Sequence, residues 1–274
     1  KKGSGRIVKT YLDKNVYEAA LERIAYCFQE FDNVLVAFSG GKDSGVLLNL
    51  CYNYADEHGL LDKLTMYHLD YEAQYQMTTE YVTRTFLEQF PGIRKMWYCV
   101  PIKAQSACAL GEPYWTPWDA AKKKLWVRAM PENPYVVHEG NLDVPFRHGM
   151  VDYEFQDKLS RHFAKKRGTT AVMVGLRADE SLNRYAAVAR GKKRRSYEGR
   201  KWITQTSAVT ANVYPLYDWR VSDIWTATAR FGFDYNRLYD LLYQAGLTAG
   251  QMRVASPFND CAQESLKLYK VIDP

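Results

Sequence analysis

The sequence predicts an α/β protein built on a doubly wound, mostly parallel sheet with helices on both faces. Three observations carry this. Short apolar runs alternate with segments of helical period, the order that yields parallel strands joined by crossover helices. The segments richest in glycine, acid and arginine each follow directly on an apolar run; a parallel sheet gathers such segments on one rim, at the carboxyl ends of its strands. At 274 residues, 47% hydrophobic and 25% charged, the chain is of ordinary globular composition and long enough for one large α/β unit.

The elements follow in order. Residues 16–31 carry Val16, Ala19, Ala20, Ile24, Phe28 and Phe31 at helical spacing and read as an amphipathic helix. Residues 33–38 form the first strand and 45–57 its crossover helix. Residues 64–69 form a second strand ending at Asp70, 78–89 a helix, and 96–100 a third strand. Residues 103–150 then lose all period. They are rich in Pro, Trp and Gly and read as an insertion whose Tyr114, Trp115, Trp118 and Trp126 need burial or a ligand. A helix over 151–167 and a fourth strand over 171–176 resume the alternation. Residues 190–205 read as a basic loop and 213–217 as a short extended piece. Helices at 221–231 and 236–245 open a helical C-terminal part over about 219–274. With no repeat and no linker, the whole of 1–274 reads as a single unit.

Composition narrows the class. Net charge is +6, modest and compatible with an anionic small molecule or nucleic acid. The first residues are polar and no apolar run approaches the 18 or so residues of a membrane span, so a cytoplasmic location is expected. The opening Lys1, with no Met before it, reads as a processed or trimmed start. Five cysteines at scattered positions, with no C-x-x-C, argue for a reducing compartment and against a disulfide framework or zinc ribbon.

The chemistry concentrates at Ser39-Gly40-Gly41-Lys42-Asp43-Ser44, between the first strand and its helix. Two glycines let backbone approach a ligand, and the helix start offers unpaired N–H groups at the positive end of its dipole. Lys42 adds a charge, and Ser39 and Ser44 add hydroxyls. Asp43 is odd beside an anion unless it holds Mg²⁺ or orients Lys42. An empty strand–helix turn is the plainer alternative. A second cluster, Gly175-Leu176-Arg177-Ala178-Asp179-Glu180-Ser181, follows the fourth strand: Gly175 permits close approach and Arg177 can fork two donors onto a phosphate or sulfate. Arg184 lies one helical turn past Glu180. The alternative is a surface ion-pair cluster. Trp219 and Trp225 are read as packing residues, with Asp223 capping the first turn of the helix between them. The run 190–201 holds seven cations and one acid and could close on a nucleotide, contact a nucleic-acid backbone, or simply be solvated.

Ser39–Ser44 resembles the PP-loop of the N-type ATP pyrophosphatases, and G-x-R-x-x-E-S at 175–181 resembles a motif of phosphoadenosine phosphosulfate (PAPS) reductases and ATP sulfurylase small subunits. Tyr214-Pro215-Leu216-Tyr217-Asp218-Trp219 with Asp223-Ile224-Trp225 is similar to a further segment of that family. No G-x-x-x-x-G-K-[ST] occurs, so the common P-loop is excluded. The resemblance implies an adenine nucleotide α-hydrolase-like fold. It implies that ATP, or PAPS, with Mg²⁺ is held by Ser39, Gly40, Gly41, Lys42, Asp43, Ser44, Asp70, Gly175, Arg177, Glu180, Ser181 and Arg184. Lys42, Asp43 and Arg177 would be the catalytic set, and attack would fall on the α-phosphorus with loss of pyrophosphate. Asp70 matches the family's acidic position after the second strand, where Mg²⁺ or the ribose is the expected contact and a helix cap the alternative. The E-C-G-x-x-H sulfur motif of assimilatory PAPS reductases is absent; Cys261 is the candidate thiol, with neighbours that do not match. Residues 256–260 and 264–269 resemble the immunoglobulin-binding regulator A type branch of bacterial and phage PAPS reductase-like proteins. That branch implies a ParB-like protein partner and a chain continuing past Pro274. Three functions stand: adenylylation of an unknown acceptor, PAPS reduction or sulfotransfer, and nucleotide-sensing or nucleic-acid-binding regulation.

Overall fold

A computed structural model describes residues 13–108, 111–189, 196–259, 262 and 265. The capping box at Asn15, whose side chain accepts from the Glu18 backbone while Glu18 reaches back, starts α1 (Val16–Glu30). Next come β1 (Asn33–Ala37), α2 (Lys42–Glu57), β2 (Leu64–Leu69), α3 (Gln76–Glu88) and β3 (Arg94–Cys99). The helix after the glycine turn starts three residues earlier than expected, so Lys42, Asp43 and Ser44 form its first turn.

The expected insertion contains the small hairpin β4 (Ala104–Gln105) and β5 (Tyr114–Trp115), a 3₁₀ stretch at Ala120–Leu125, and β6 (Val136–His138). β6 pairs in parallel with β3 and so extends the main sheet. Then come α4 (Asp152–Arg167), β7 (Thr170–Val174), α5 (Leu182–Ala189), β8 (Ser196–Tyr197), β9 (Arg200–Gln205), β10 (Thr210–Val213), α6 (Val221–Phe231) and α7 (Leu238–Gln244). Part of the expected 190–205 loop is therefore strand. β9 pairs antiparallel with both β8 and β10, and Ile203 is its buried residue. Arg190, Lys192, Lys193, Arg194 and Arg195 lie outside the described residues.

The eight-stranded sheet has the order β6-β3-β2-β1-β7-β10-β9-β8, with the first six strands parallel. The chain runs outward from β1 through β2 and β3, then returns to the other side of β1 with β7. That reversal makes the carboxyl ends of β1 and β7 the switch point of the sheet. Alternate residues feed two cores. Val34 and Val36 pack with Ile24, Leu47, Val82 and Ile224, whereas Leu35 packs with Tyr98, Phe155 and Leu159 of the opposite face. Helices α1, α2, α3 and α6 thus cover one face and α4 the other. Among the described residues no helix is long and apolar enough to cross a membrane.

Candidate functional site

The turn after β1 is held by its own serines. Ser44 Oγ lies 3.0 Å from Ser39 Oγ and donates to the Gly41 carbonyl at 3.0 Å, and Ser39 N–H donates to Ser44 Oγ. Gly40 sits at φ +76°, where L-residues are strained, and a Cβ there would lie 2.9 Å from Val82. Asn236 donates to the Gly40 carbonyl and to Thr78, so the loop preceding α7 and helix α3 both grip the turn.

Lys42 is buried, its side chain 3% exposed, with Nζ 3.1 Å from Asp43 and over the ring of Tyr239. Burial lowers its pKa, and the Asp43 carboxylate opposes that. Arg177 is also buried, and its Nε donates to the other oxygen of Asp43. One carboxylate therefore sits between two cations. The expectation that Arg177 forks onto a bound anion gives way to a different geometry: its guanidinium is engaged by Asp43, with Asp179 at 3.8 Å, and it does not line the cavity. Asp43 thus bridges Lys42 and Arg177. Glu180, the other carboxylate beside the turn, pairs with Arg184 at 3.0 Å and Arg253 at 3.7 Å. Carboxylates already committed to cations do not fit a magnesium ion held by the protein, and among the described residues no cluster of three or more metal-ligating groups occurs.

Gly175 is required by packing. A Cβ there would lie 2.9 Å from the Asp43 carbonyl carbon and the Ser44 nitrogen, inside the first turn of α2. Ser181 caps α5, its Oγ accepting from Arg184 N–H. Asp70 departs from expectation. Fully buried, it takes Arg128 at 2.6 Å, the Trp97 indole at 2.8 Å and the Glu72 N–H at 2.8 Å, and it is neither in the cavity wall nor at a helix start. Trp219 and Trp225 pack as expected, and Asp223 accepts from the Arg220 N–H.

Over the turn lies a cavity of about 330 Å³, walled by Ser39, Gly41–Ser44, Gly175, Glu180 and Arg184. Tyr239 and Arg253, from the C-terminal part, complete it. Tyr239 accepts from the Lys42 backbone N–H at 3.1 Å. No local motif announced either residue; they reach the site through the docking of α7 and the segment after it. Cys261 and the matched residues 260, 264 and 266–269 lie outside the described residues.

A glycine–serine–lysine turn thus lies at the switch point of a doubly wound sheet, beside a cavity with three cations in its wall. The chain belongs to the phosphoadenosine phosphosulfate reductase domain family, whose model matches residues 33–245. A domain of unknown function, DUF3440, matches residues 246–274. The chain is 35% identical over 271 residues to the uncharacterized protein YbdN of Escherichia coli (strain K12), a match covering 98% of this chain and 65% of that protein. The chain thus spans about two thirds of the length of this curated relative. Solved structures with a similar fold include PAPS reductase from Candida auris in a phosphate complex (14% identity, 85% of this chain and 93% of that chain, TM-score 0.44). Another is FMN adenylyltransferase from Candida glabrata with FAD and inorganic pyrophosphate (14%, 85% and 64%, TM-score 0.46). A third is the U34-tRNA thiolase NcsA from Methanococcus maripaludis (12%, 96% and 77%, TM-score 0.43).

Proposed function

We propose that the protein binds ATP with its polyphosphate on residues 39–44 and transfers the adenylyl group to an acceptor, releasing pyrophosphate. The observation that carries this reading is the buried Lys42 ammonium at the floor of a 330 Å³ cavity whose remaining cations are Arg184 and Arg253. A cavity of this size suits a nucleotide, and the cations suit a polyphosphate. In the reaction a nucleophilic atom of the acceptor forms a bond to the α-phosphorus. The bond from that phosphorus to the bridging oxygen breaks, and pyrophosphate leaves with the electron pair. Lys42 stabilises the charge that grows on the leaving group. Asp43 and Arg177 are positioning residues: they hold Lys42 and the start of α2 against β7. No step here depends on a metal held by the protein.

PAPS reduction is the rival reading, and it needs a thiolate. Burial pushes the thiols of Cys27, Cys51 and Cys99 far up, which leaves the exposed Cys108 as the accessible thiol among the described residues. A ParB-like partner and nucleic-acid binding through 190–201 remain proposals drawn from the family resemblance and the charge run. Product analysis separates the readings. With ATP, magnesium chloride and a cell extract supplying the acceptor, AMP or adenylylated product with pyrophosphate is expected. With PAPS and a dithiol, sulfite is not. Lys42→Ala should weaken ATP binding by about 1.5–3 kcal/mol, the scale of a charged hydrogen bond. Unchanged ATP affinity by calorimetry, or sulfite from PAPS, overturns the proposal.

A further inference from the structure

A second chamber, of about 160 Å³, adjoins the nucleotide cavity, and Ser39, Leu69, Tyr71, Val254 and Ala255 line both. Its remaining walls come from different parts of the chain. The β4–β5 hairpin supplies Gln105 and Trp115, the segment after β2 supplies Gln74, α4 supplies Asp152, and the C-terminal segment supplies Ser256. Two of these wall residues carry buried polar atoms with no hydrogen-bond partner among the described residues: the Trp115 indole N–H and the Gln74 side-chain oxygen. An orphaned donor and an orphaned acceptor in one wall each cost about 1–3 kcal/mol unless something pairs them.

The charge of this chamber is opposite to that of its neighbour. Among the described residues its lining has one carboxylate, Asp152, and no Lys, Arg or His. Asp152 accepts from the Tyr71 hydroxyl at 3.1 Å and from the Tyr153 N–H at 2.6 Å. An anion brought here would meet a carboxylate and no compensating cation, at a cost that rises with burial. Sulfate, sulfonate and carboxylate ligands are therefore disfavoured, and neutral or cationic ones are accepted.

We propose that this chamber is the acceptor site, and that it takes a small uncharged or cationic molecule of the carboxamide or amidine class. An N–H of that molecule donates to the Gln74 oxygen, and an acceptor atom, where it has one, receives the Trp115 N–H. A cavity near 150 Å³ holds a molecule of about benzene's size, so a single ring bearing one such group matches the space. The identification as acceptor rests on the adenylyl-transfer reading; the ligand class rests on the chamber alone. Its boundary with the nucleotide cavity at Ser39 and Tyr71 sets a bound molecule beside the phosphates.

The test uses benzamide, benzamidine and benzoate as shape-matched probes on the full chain, with indole N–H resonances followed by NMR and the Trp115 resonance assigned through Trp115→Phe. Benzamide and benzamidine are expected to bind saturably. Benzamide shifts the Trp115 resonance, and benzoate binds at least tenfold more weakly than either. Gln74→Leu and Trp115→Phe should each weaken benzamide at least fivefold while ATP affinity stays the same, since neither residue lines the nucleotide cavity. Benzoate binding as tightly as benzamide, no saturable shift in the wild-type chain, or benzamide affinity unchanged in both variants overturns the ligand class. If benzamide binds as expected but no adenylyl transfer or pyrophosphate release occurs with any acceptor, the chamber stands and the adenylyl-transfer reading fails. If ATP is turned over and benzamide does not bind, the reverse holds.

Discussion

Gly175 and Lys42 illustrate how single residues carry this site. The sequence suggests that Gly175 makes room for a ligand, but the atoms it makes room for are the chain's own. The first turn of α2 comes so near the end of β7 that a methyl group would sit 2.9 Å from two backbone atoms. Gly175→Ala must therefore displace Asp43 and Ser44, and with them Lys42. The expected outcome is a stability loss of about 1–3 kcal/mol, the range for overpacking, and at least a tenfold loss of ATP affinity by calorimetry. Gly250→Ala is the control, because a Cβ there meets nothing within 4 Å, and it should change neither. Equal ATP affinity in both variants would show that the contact between β7 and α2 does not set the loop.

At the scale of elements, the insertion is tied to the sheet by a buried polar network. Glu72, in the left-handed region at φ +64°, accepts from the Trp118 and Val127 N–H groups at 2.7 and 2.9 Å. Arg128 bridges the Glu72 carbonyl and the Asp70 carboxylate, and the Trp118 indole donates to the Asp70 carbonyl. Asp70 thus anchors the segment that the sequence could only describe as lacking period. Removing Arg128 leaves a carboxylate with no exposed surface facing no cation. Arg128→Ala should cost about 3–5 kcal/mol in urea unfolding, the range for breaking a buried pair. Asp70→Asn, which keeps the shape, should retain ATP affinity within twofold. A selective loss of ATP binding in Asp70→Asn at unchanged stability would restore Asp70 to the nucleotide site.

For the molecule as a whole, the pH dependence of folding has a buried source. His68 lies near the carboxyl end of β2 with no exposure, between Phe38, Phe86 and Trp97, its Nδ1 donating to the Phe38 carbonyl at 2.8 Å. Burial holds its pKa below the ordinary 6.5, against the pull of Asp70. Below about pH 6.5 the unfolded chain therefore takes up a proton that the folded chain does not, and stability falls as pH falls. The slope approaches about 1.4 kcal/mol per pH unit from this group. Urea unfolding at pH 7.0 and 5.5 should show the loss in the wild type and a smaller one in His68→Gln. An identical loss in both would remove His68 as the source.

The sequence by itself determined the central sheet and the floor of the site. Strands that alternate apolar faces, helices with a 3.6-residue stripe, and a glycine–serine–lysine turn between them are local patterns, each legible within about fifteen residues. The turn and the G-x-R-x-x-E-S segment are therefore legible in the sequence alone. The tertiary structure decided which partners those residues take. Arg177 faces Asp43 instead of open cavity because β7 lies directly beside β1. Asp70 is consumed by Arg128, 58 residues away along the chain, and Tyr239 and Arg253 close the pocket from the far end of the sequence. The strand β9, hidden within a basic run, shows the same limit. Its pattern is too short and too charged to announce a strand, and pairing with β10 and β8 is what forms it. Contacts between distant segments follow from how elements pack, and packing is a property of the assembled faces that no local window contains.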